Sequence, residues 1–214
     1  MDVIKDLKRL ADKKKADQMA AYMKDQFSFL GVQTPDRRRL SGAYFKTLND
    51  RDFDWDFVFS CWDLEEREYQ YLATDYLKRY EKKLTRSDLS NLKVLITKKS
   101  WWDTVDGLVR PLGNLALREP QLNESLLQWS LDENFWLRRA AILHQLLRKE
   151  KMDTLLLEKI LLNNLFQEEF FINKAMGWIL RDYSKTNPEW VRSFLKTHTD
   201  GLSALTIREA SRYI

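Results

Sequence analysis

Three six-residue stretches repeat one order of residue types at nearly even intervals, and that repetition limits the fold more than any other feature of the chain. Trp136-Leu137-Arg138-Arg139-Ala140-Ala141, Phe171-Ile172-Asn173-Lys174-Ala175-Met176 and Leu205-Thr206-Ile207-Arg208-Glu209-Ala210 share the order apolar, polar, basic, small. Arg139 to Lys174 spans 35 positions and Lys174 to Arg208 spans 34. The same step taken backwards from Arg139 reaches Trp102-Asp103-Thr104, and a further one reaches Glu66-Arg67-Glu68. A period of this length is one pair of helices, too small to bury its own apolar face, so successive pairs must stack. Apolar residues recur at three and four spacing almost throughout, and only 6 glycines and 4 prolines punctuate them. The expected fold is all-α, an α-solenoid of antiparallel helix pairs whose second helices line one concave wall. A compact helical bundle would show a similar pattern.

Residues 126–131, 140–147 and 155–162 read as short helices separated by polar breaks such as Asp132-Glu133-Asn134. With 214 residues, 44% of them hydrophobic, the chain can bury a core of its own. One domain is expected over 1–214, with N-terminal helices over about 1–50 followed by repeats of roughly 35 residues. Cys61 is the single cysteine, which rules out an internal disulfide, and together with two distant histidines it argues against a structural zinc site. The opening MDVIKDLKRLADKKK is too charged for a secretory signal. No stretch approaches the roughly 18 apolar residues that cross a bilayer. A cytoplasmic protein is expected. The net charge of +4 pushes only mildly toward nucleic acid, but the excess is local: residues 1–50 hold 11 Lys and Arg against 7 Asp and Glu.

The segment Lys99-Ser100-Trp101-Trp102-Asp103-Thr104-Val105-Asp106-Gly107 is the least ordinary part of the chain. If a helix runs from Trp101 to Gly113, then Trp101, Val105, Leu108 and Leu112 form its core stripe. Trp102 and Asp106, four apart, meet on a neighbouring face. Lys174, Trp178 and Arg181 share a face of a later second helix, beside a core stripe of Ile172, Ala175 and Ile179; Arg139 follows Trp136 by three. Taken singly, each is explained by a packed aromatic beside a solvated charge. Three in register on one wall suggest a ligand. Indole faces and a carboxylate favour a cation, whereas flanking Arg and Lys hold phosphates. Nucleic acid carrying a cationic alkylated base combines the two, and the same carboxylate would stabilise an oxocarbenium-like sugar during glycosidic cleavage. Nothing in the sequence signals a deep pocket.

Six blocks, in order, carry a family resemblance: Ala21-Tyr22-Met23; Phe29-Leu30-Gly31-Val32-Gln33-Thr34-Pro35-Asp36-Arg37-Arg38; Trp62 to Gln70; Ser100 to Asp106; Trp136 to Leu143; and Lys174 to Arg181. Over about residue 5 to the C-terminus the chain resembles the AlkD-like DNA alkylation repair glycosylases. The resemblance implies HEAT-like repeats with a basic concave groove for double-stranded DNA, and hydrolysis of the glycosidic bond of cationic N3- and N7-alkylated purines such as 3-methyladenine and 7-methylguanine. It implies catalysis by Asp106, two tryptophans against the sugar at Trp102 and Trp178, an essential arginine at Arg139 and an aromatic partner at Tyr22. It also implies a base left unflipped, no metal or redox cofactor, a monomer, and association with the nucleoid. Lys174, Arg181, Arg37 and Arg38 are the expected phosphate contacts, and Arg139 is expected to hold a phosphate near the lesion.

Thr34 with Pro35 reads as a helix start, Lys13-Lys14-Lys15 as a solvated run, and His144 as a core histidine. The rival reading is a non-catalytic HEAT-like scaffold that binds DNA or protein along the same groove. A carboxylate repels phosphate, so a pure binder has no use for Asp106. A nuclease is disfavoured because no cluster of Asp, Glu and His at ligand spacing accompanies it.

Overall fold

The computed structural model describes residues 2–48 and 53–214, and every regular element among them is a helix. The chain groups into two compact units, Met1–Leu84 and Thr85–Ile214. The boundary expected near residue 50 lies outside the described residues.

The first unit holds α1 (Val3–Arg9), α2 (Lys13–Tyr22), α3 (Thr34–Thr47), α4 (Trp55–Asp63) and α5 (Arg67–Arg79). Three of these begin alike: the carboxylates of Asp2, Asp12 and Asp54 accept from the amides of Lys5, Lys15 and Phe57, satisfying donors that the first turn leaves orphaned. The start of α3 departs from expectation. Its cap position falls on Gln33 rather than Thr34, no side chain caps it, and Pro35 fills the first turn, where a missing N–H costs nothing.

The opening turn of α5 is the anchor of this unit. Glu68 is fully buried, and its carboxylate accepts from three consecutive backbone amides, Leu30 at 2.9 Å, Gly31 at 2.9 Å and Val32 at 3.0 Å. Arg67, also fully buried, lays its guanidinium 3.7 Å from the Phe27 ring centroid. Gln70 Nε2 donates to the carbonyls of Cys61, Trp62 and Leu64 at the end of α4. Two of the blocks that carry the family resemblance are thus bound to each other here for structural reasons. Truncation by Glu68→Ala strands three buried amides, and we expect it to lower unfolding free energy by about 3–5 kcal/mol, read from urea denaturation. A loss under 1 kcal/mol would contradict this account.

The second unit is built of four helix pairs: α6 (Leu89–Thr97) with α7 (Trp102–Arg118), α8 (Leu122–Trp129) with α9 (Phe135–Leu143), α10 (Thr154–Leu162) with α11 (Phe170–Ser184), and α12 (Pro188–Thr197) with α13 (Ala204–Ala210). Short polar side chains again start the helices: Asn134, Asp153, Glu169, Asn187 and Ser203 each accept from an amide in the following turn. The second helices pack in chain order, α7 on α9, α9 on α11 and α11 on α13, while α8 packs on α10. Hydrogen bonds repeat the sequence period: Asn164 Nδ2 donates to the Ser130 carbonyl, Arg148 Nη2 to the Gly113 carbonyl, and Thr206 Oγ1 to the Asn173 carbonyl, across 34, 35 and 33 residues. The core stripes fall as the spacing predicts, with Val105, Leu108, Leu112, Ile172, Ala175 and Ile179 all fully buried.

Two boundaries differ from the sequence reading. Trp101 is not the first residue of its helix but the extended residue before it, and its ring packs on Trp136 and Phe171 at centroid distances of 5.9 and 5.2 Å. At the other end, α7 runs through Pro111 and past Gly113 to Arg118. Gly113 is a clearance rather than a stop: a Cβ there would lie 2.0 Å from the His144 carbonyl oxygen of the neighbouring repeat. Residues 140–147 likewise do not form one helix, since α9 ends at Leu143 and a turn follows.

His144 itself is buried, its Nδ1 2.6 Å from the Ala141 carbonyl. Burial pushes its pKa down from 6.5 to about 3. The unfolded chain therefore holds a proton between those values that the folded chain does not. The stability from a neutral His144 is complete above pH 6.5 and is lost as pH falls, by about 1.4 kcal/mol per unit down to about pH 3. We expect His144→Gln to remove that slope from a plot of unfolding free energy against pH; parallel curves for the two proteins would refute it.

Candidate active site

The helices α7, α9 and α11 meet around a cavity of about 390 Å³, lined by Trp102, Asp106, Arg139, Phe170, Phe171, Lys174, Trp178 and Arg181. Six of the nine residues singled out from sequence are among these eight. They arrive there by local rules: Trp102 begins α7 and Asp106 follows one turn later, while Lys174, Trp178 and Arg181 succeed one another on a single face of α11. The hollow is made jointly by three repeats and so has no local signature in the chain.

At its floor Asp106 and Arg139 form a two-pronged ion pair. Arg139 Nε donates to Oδ1 and Nη2 to Oδ2, both at 2.8 Å, and Nη1 donates to the Phe171 carbonyl at 2.6 Å. All three guanidinium nitrogens are thereby engaged. The Arg139 side chain is 4% exposed and that of Asp106 18%, so the carboxylate is the member of the pair that faces open space. In this structure Arg139 orients a carboxylate, with three of its five N–H donors engaged. Burial pushes the Asp106 pKa above the ordinary aspartate value; the hydrogen bonds and charge of Arg139 act against this, and the Asp103 charge acts with it.

Aromatic surface surrounds the pair. Phe171 lies 4.9 Å from Trp136 and stacks parallel to Phe135 at 6.3 Å, while Phe170, at the first position of α11, is 56% exposed. Neither phenylalanine was singled out for the site. Both lie at the start of a second helix, where the repeat pattern marks only an apolar position.

The cations of α11 are not unopposed. Lys174 Nζ donates to Glu209 Oε1 and Arg181 Nη1 to Glu209 Oε2, each at 2.7 Å. These contacts, the Lys174 bond first, hold the Glu209 carboxyl below its ordinary pKa. Glu209 had no place in the sequence reading of the site, although it stands one repeat beyond Lys174.

The remaining expected residues belong to the first unit. Tyr22 ends α2 and is 70% exposed, and Arg38 is exposed on α3. Arg37 differs from expectation. It is buried, its Nε 3.3 Å from Asp75 Oδ2 and its guanidinium 4.8 Å from the Tyr71 ring centroid, which leaves it turned into its own unit rather than toward a ligand. Lys13 and Lys15 pair with Asp17 and Asp12 on the surface. No group of three His, Cys, Asp or Glu side chains among the described residues could hold a metal ion, and none of the described helices is long and apolar enough to cross a membrane.

The model of the DNA alkylation repair enzyme family matches residues 3–214. Among solved structures, a predicted DNA alkylation repair enzyme from Enterococcus faecalis is 35% identical, with a TM-score of 0.89 over 95% of this chain and 96% of that one. AlkD2 from Streptococcus mutans shares the fold at 16% identity, with a TM-score of 0.66 over 93% of this chain and 99% of that one. No curated protein matches.

Proposed function

The chain belongs to the DNA alkylation repair enzyme family, and from that premise we propose that it is a monofunctional DNA glycosylase, releasing cationic N3- and N7-alkylpurines from duplex DNA and leaving an abasic site. The observation that carries this reading is a carboxylate fixed at the floor of an indole-lined hollow by a two-pronged arginine. In the proposed reaction the bond from C1′ to the purine nitrogen breaks, and its electron pair leaves with the base. The base was cationic and departs neutral, so no general acid is needed. The sugar becomes oxocarbenium-like, water adds to C1′, and the proton that the water loses passes to solvent.

Each side chain then has a role. Asp106 stabilises positive charge that grows on the sugar and orients the water, an interaction stronger in the transition state than in the ground state. Arg139 holds both carboxylate oxygens in place, so the charge needs no reorganisation as the bond breaks. Trp102 and Trp178 offer ring faces to the cationic sugar. Lys174 and Arg181 meet the backbone phosphate beside it, and Tyr22 and Arg38 of the first unit contribute further contacts to DNA. The hollow takes the deoxyribose, and the base stays in the duplex rather than being extruded into a pocket, unlike the usual glycosylase strategy.

The test is release of free 7-methylguanine from methylated duplex DNA, run beside binding of the same DNA. Release supports the assignment. Binding without release would leave the scaffold reading instead.

A further inference from the structure

The charges around the site do not sum as the sequence suggests. Arg139, Lys174 and Arg181 line the hollow, yet Arg139 is neutralised by Asp106, and Lys174 and Arg181 share the one carboxylate of Glu209. With Asp106 alone the three cations would leave two net positive charges, and Glu209 lowers that to one. The arrangement around Glu209 is built. Lys174, Gly177, Trp178 and Arg181 lie on one face of α11, and the glycine sits between the two cations. A Cβ at position 177 would stand 2.6 Å from the Glu209 Cβ and 3.1 Å from the Thr206 carbonyl oxygen. The missing side chain is what lets α13 come close enough for Glu209 to reach both cations at once.

Stability is a weak explanation for this contact. Lys174 is 40% exposed and Arg181 21%, and ion pairs that open to water contribute about 0–1 kcal/mol. The geometry has a different likeness. Two oxygens on one atom, each accepting a charge-assisted bond from a separate cation, reproduce how a phosphodiester meets Lys and Arg.

We infer that Glu209 is a built-in competitor for the DNA backbone at the Lys174–Arg181 site, occupying it until a phosphate displaces the carboxylate. The inference rests on the reading that DNA lies over this hollow. Its consequence is selectivity: affinity for undamaged duplex is held down because each encounter must break two existing bonds. A lesion site, where Asp106 and the indoles add contacts of their own, exceeds that threshold.

Glu209→Gln tests this, with binding of undamaged duplex DNA measured across a salt series. Removing the carboxylate charge frees a phosphate contact, so we expect roughly tenfold tighter binding at low salt and a salt slope steeper by about 0.9. Glu209→Ala runs beside it, because Gln presents an amide N–H to one of the cations whereas Ala presents nothing. Unchanged or weaker binding with an unchanged slope means that Glu209 only positions the cations, and the inference falls. It falls equally if neither variant folds, since Glu209 is then a structural pin. Release of 7-methylguanine reads the glycosylase assignment separately. If wild type releases base and the variants bind no tighter, only the competitor role is lost; if wild type binds no DNA even at low salt, the reading beneath it is lost as well.

Discussion

Asp106→Asn is expected to slow release of 7-methylguanine from methylated duplex DNA by about a thousandfold, equivalent to about 4 kcal/mol of transition-state stabilisation. The substitution keeps the shape of the side chain and one oxygen to accept from Arg139, but removes the negative charge that the sugar cation would meet. DNA binding is expected to persist, since a carboxylate repels phosphate in the ground state. The pH profile gives an independent check. Burial raises the Asp106 pKa, so wild-type release should fall on the acid side at a higher pH than an ordinary aspartate would give, and the residual rate of the variant should lack that limb. Full activity in the variant would remove Asp106 from the reaction.

The second large effect concerns folding rather than rate. Arg139 is 4% exposed and bonded on both prongs, so losing either partner leaves a charge buried without its counterion. Asp106→Leu and Arg139→Met are each expected to lower unfolding free energy by about 3–5 kcal/mol, whereas the double variant, with no charge left to bury, should cost less than either alone. Recovery will be incomplete, because the Phe171 carbonyl loses its donor in Arg139→Met and in the double variant. Urea denaturation of the four proteins measures the cycle. Additive losses would mean that the pair is not coupled. The double variant should also release no base, which separates the structural from the chemical contribution of the pair.

How much of this was legible in the chain follows from the range over which each feature is written. Helix type and period are local, so the stripe at Ile172, Ala175 and Ile179 and the spacing of Arg139, Lys174 and Arg208 were readable as they stand. So was the face shared by Lys174, Trp178 and Arg181. Partners one repeat away were not. Nothing near Arg139 says that its guanidinium turns to Asp106, nothing in Arg37-Arg38-Arg39 says that the first of them meets Asp75, and Glu209 looks like any acidic residue of an amphipathic helix. Gly113 shows the same limit from the other side. A glycine in a helical pattern reads as a stop, and only the neighbouring His144 carbonyl reveals it as a space kept open. Residue identity announced the site's ingredients; which charges remain available was decided by contacts 28 to 38 residues distant.

Arg139 also has a mechanical meaning. One guanidinium on α9 bonds to Asp106 on α7 and to the Phe171 carbonyl on α11, so it spans three successive repeats. Arrays of stacked helix pairs ordinarily open piecewise, each seam with its own free energy. A cross-brace through three layers couples the two seams, since opening either one breaks a bond of the same guanidinium. The carboxylate that would face the sugar is therefore tied through one side chain to both of the repeats that follow its own.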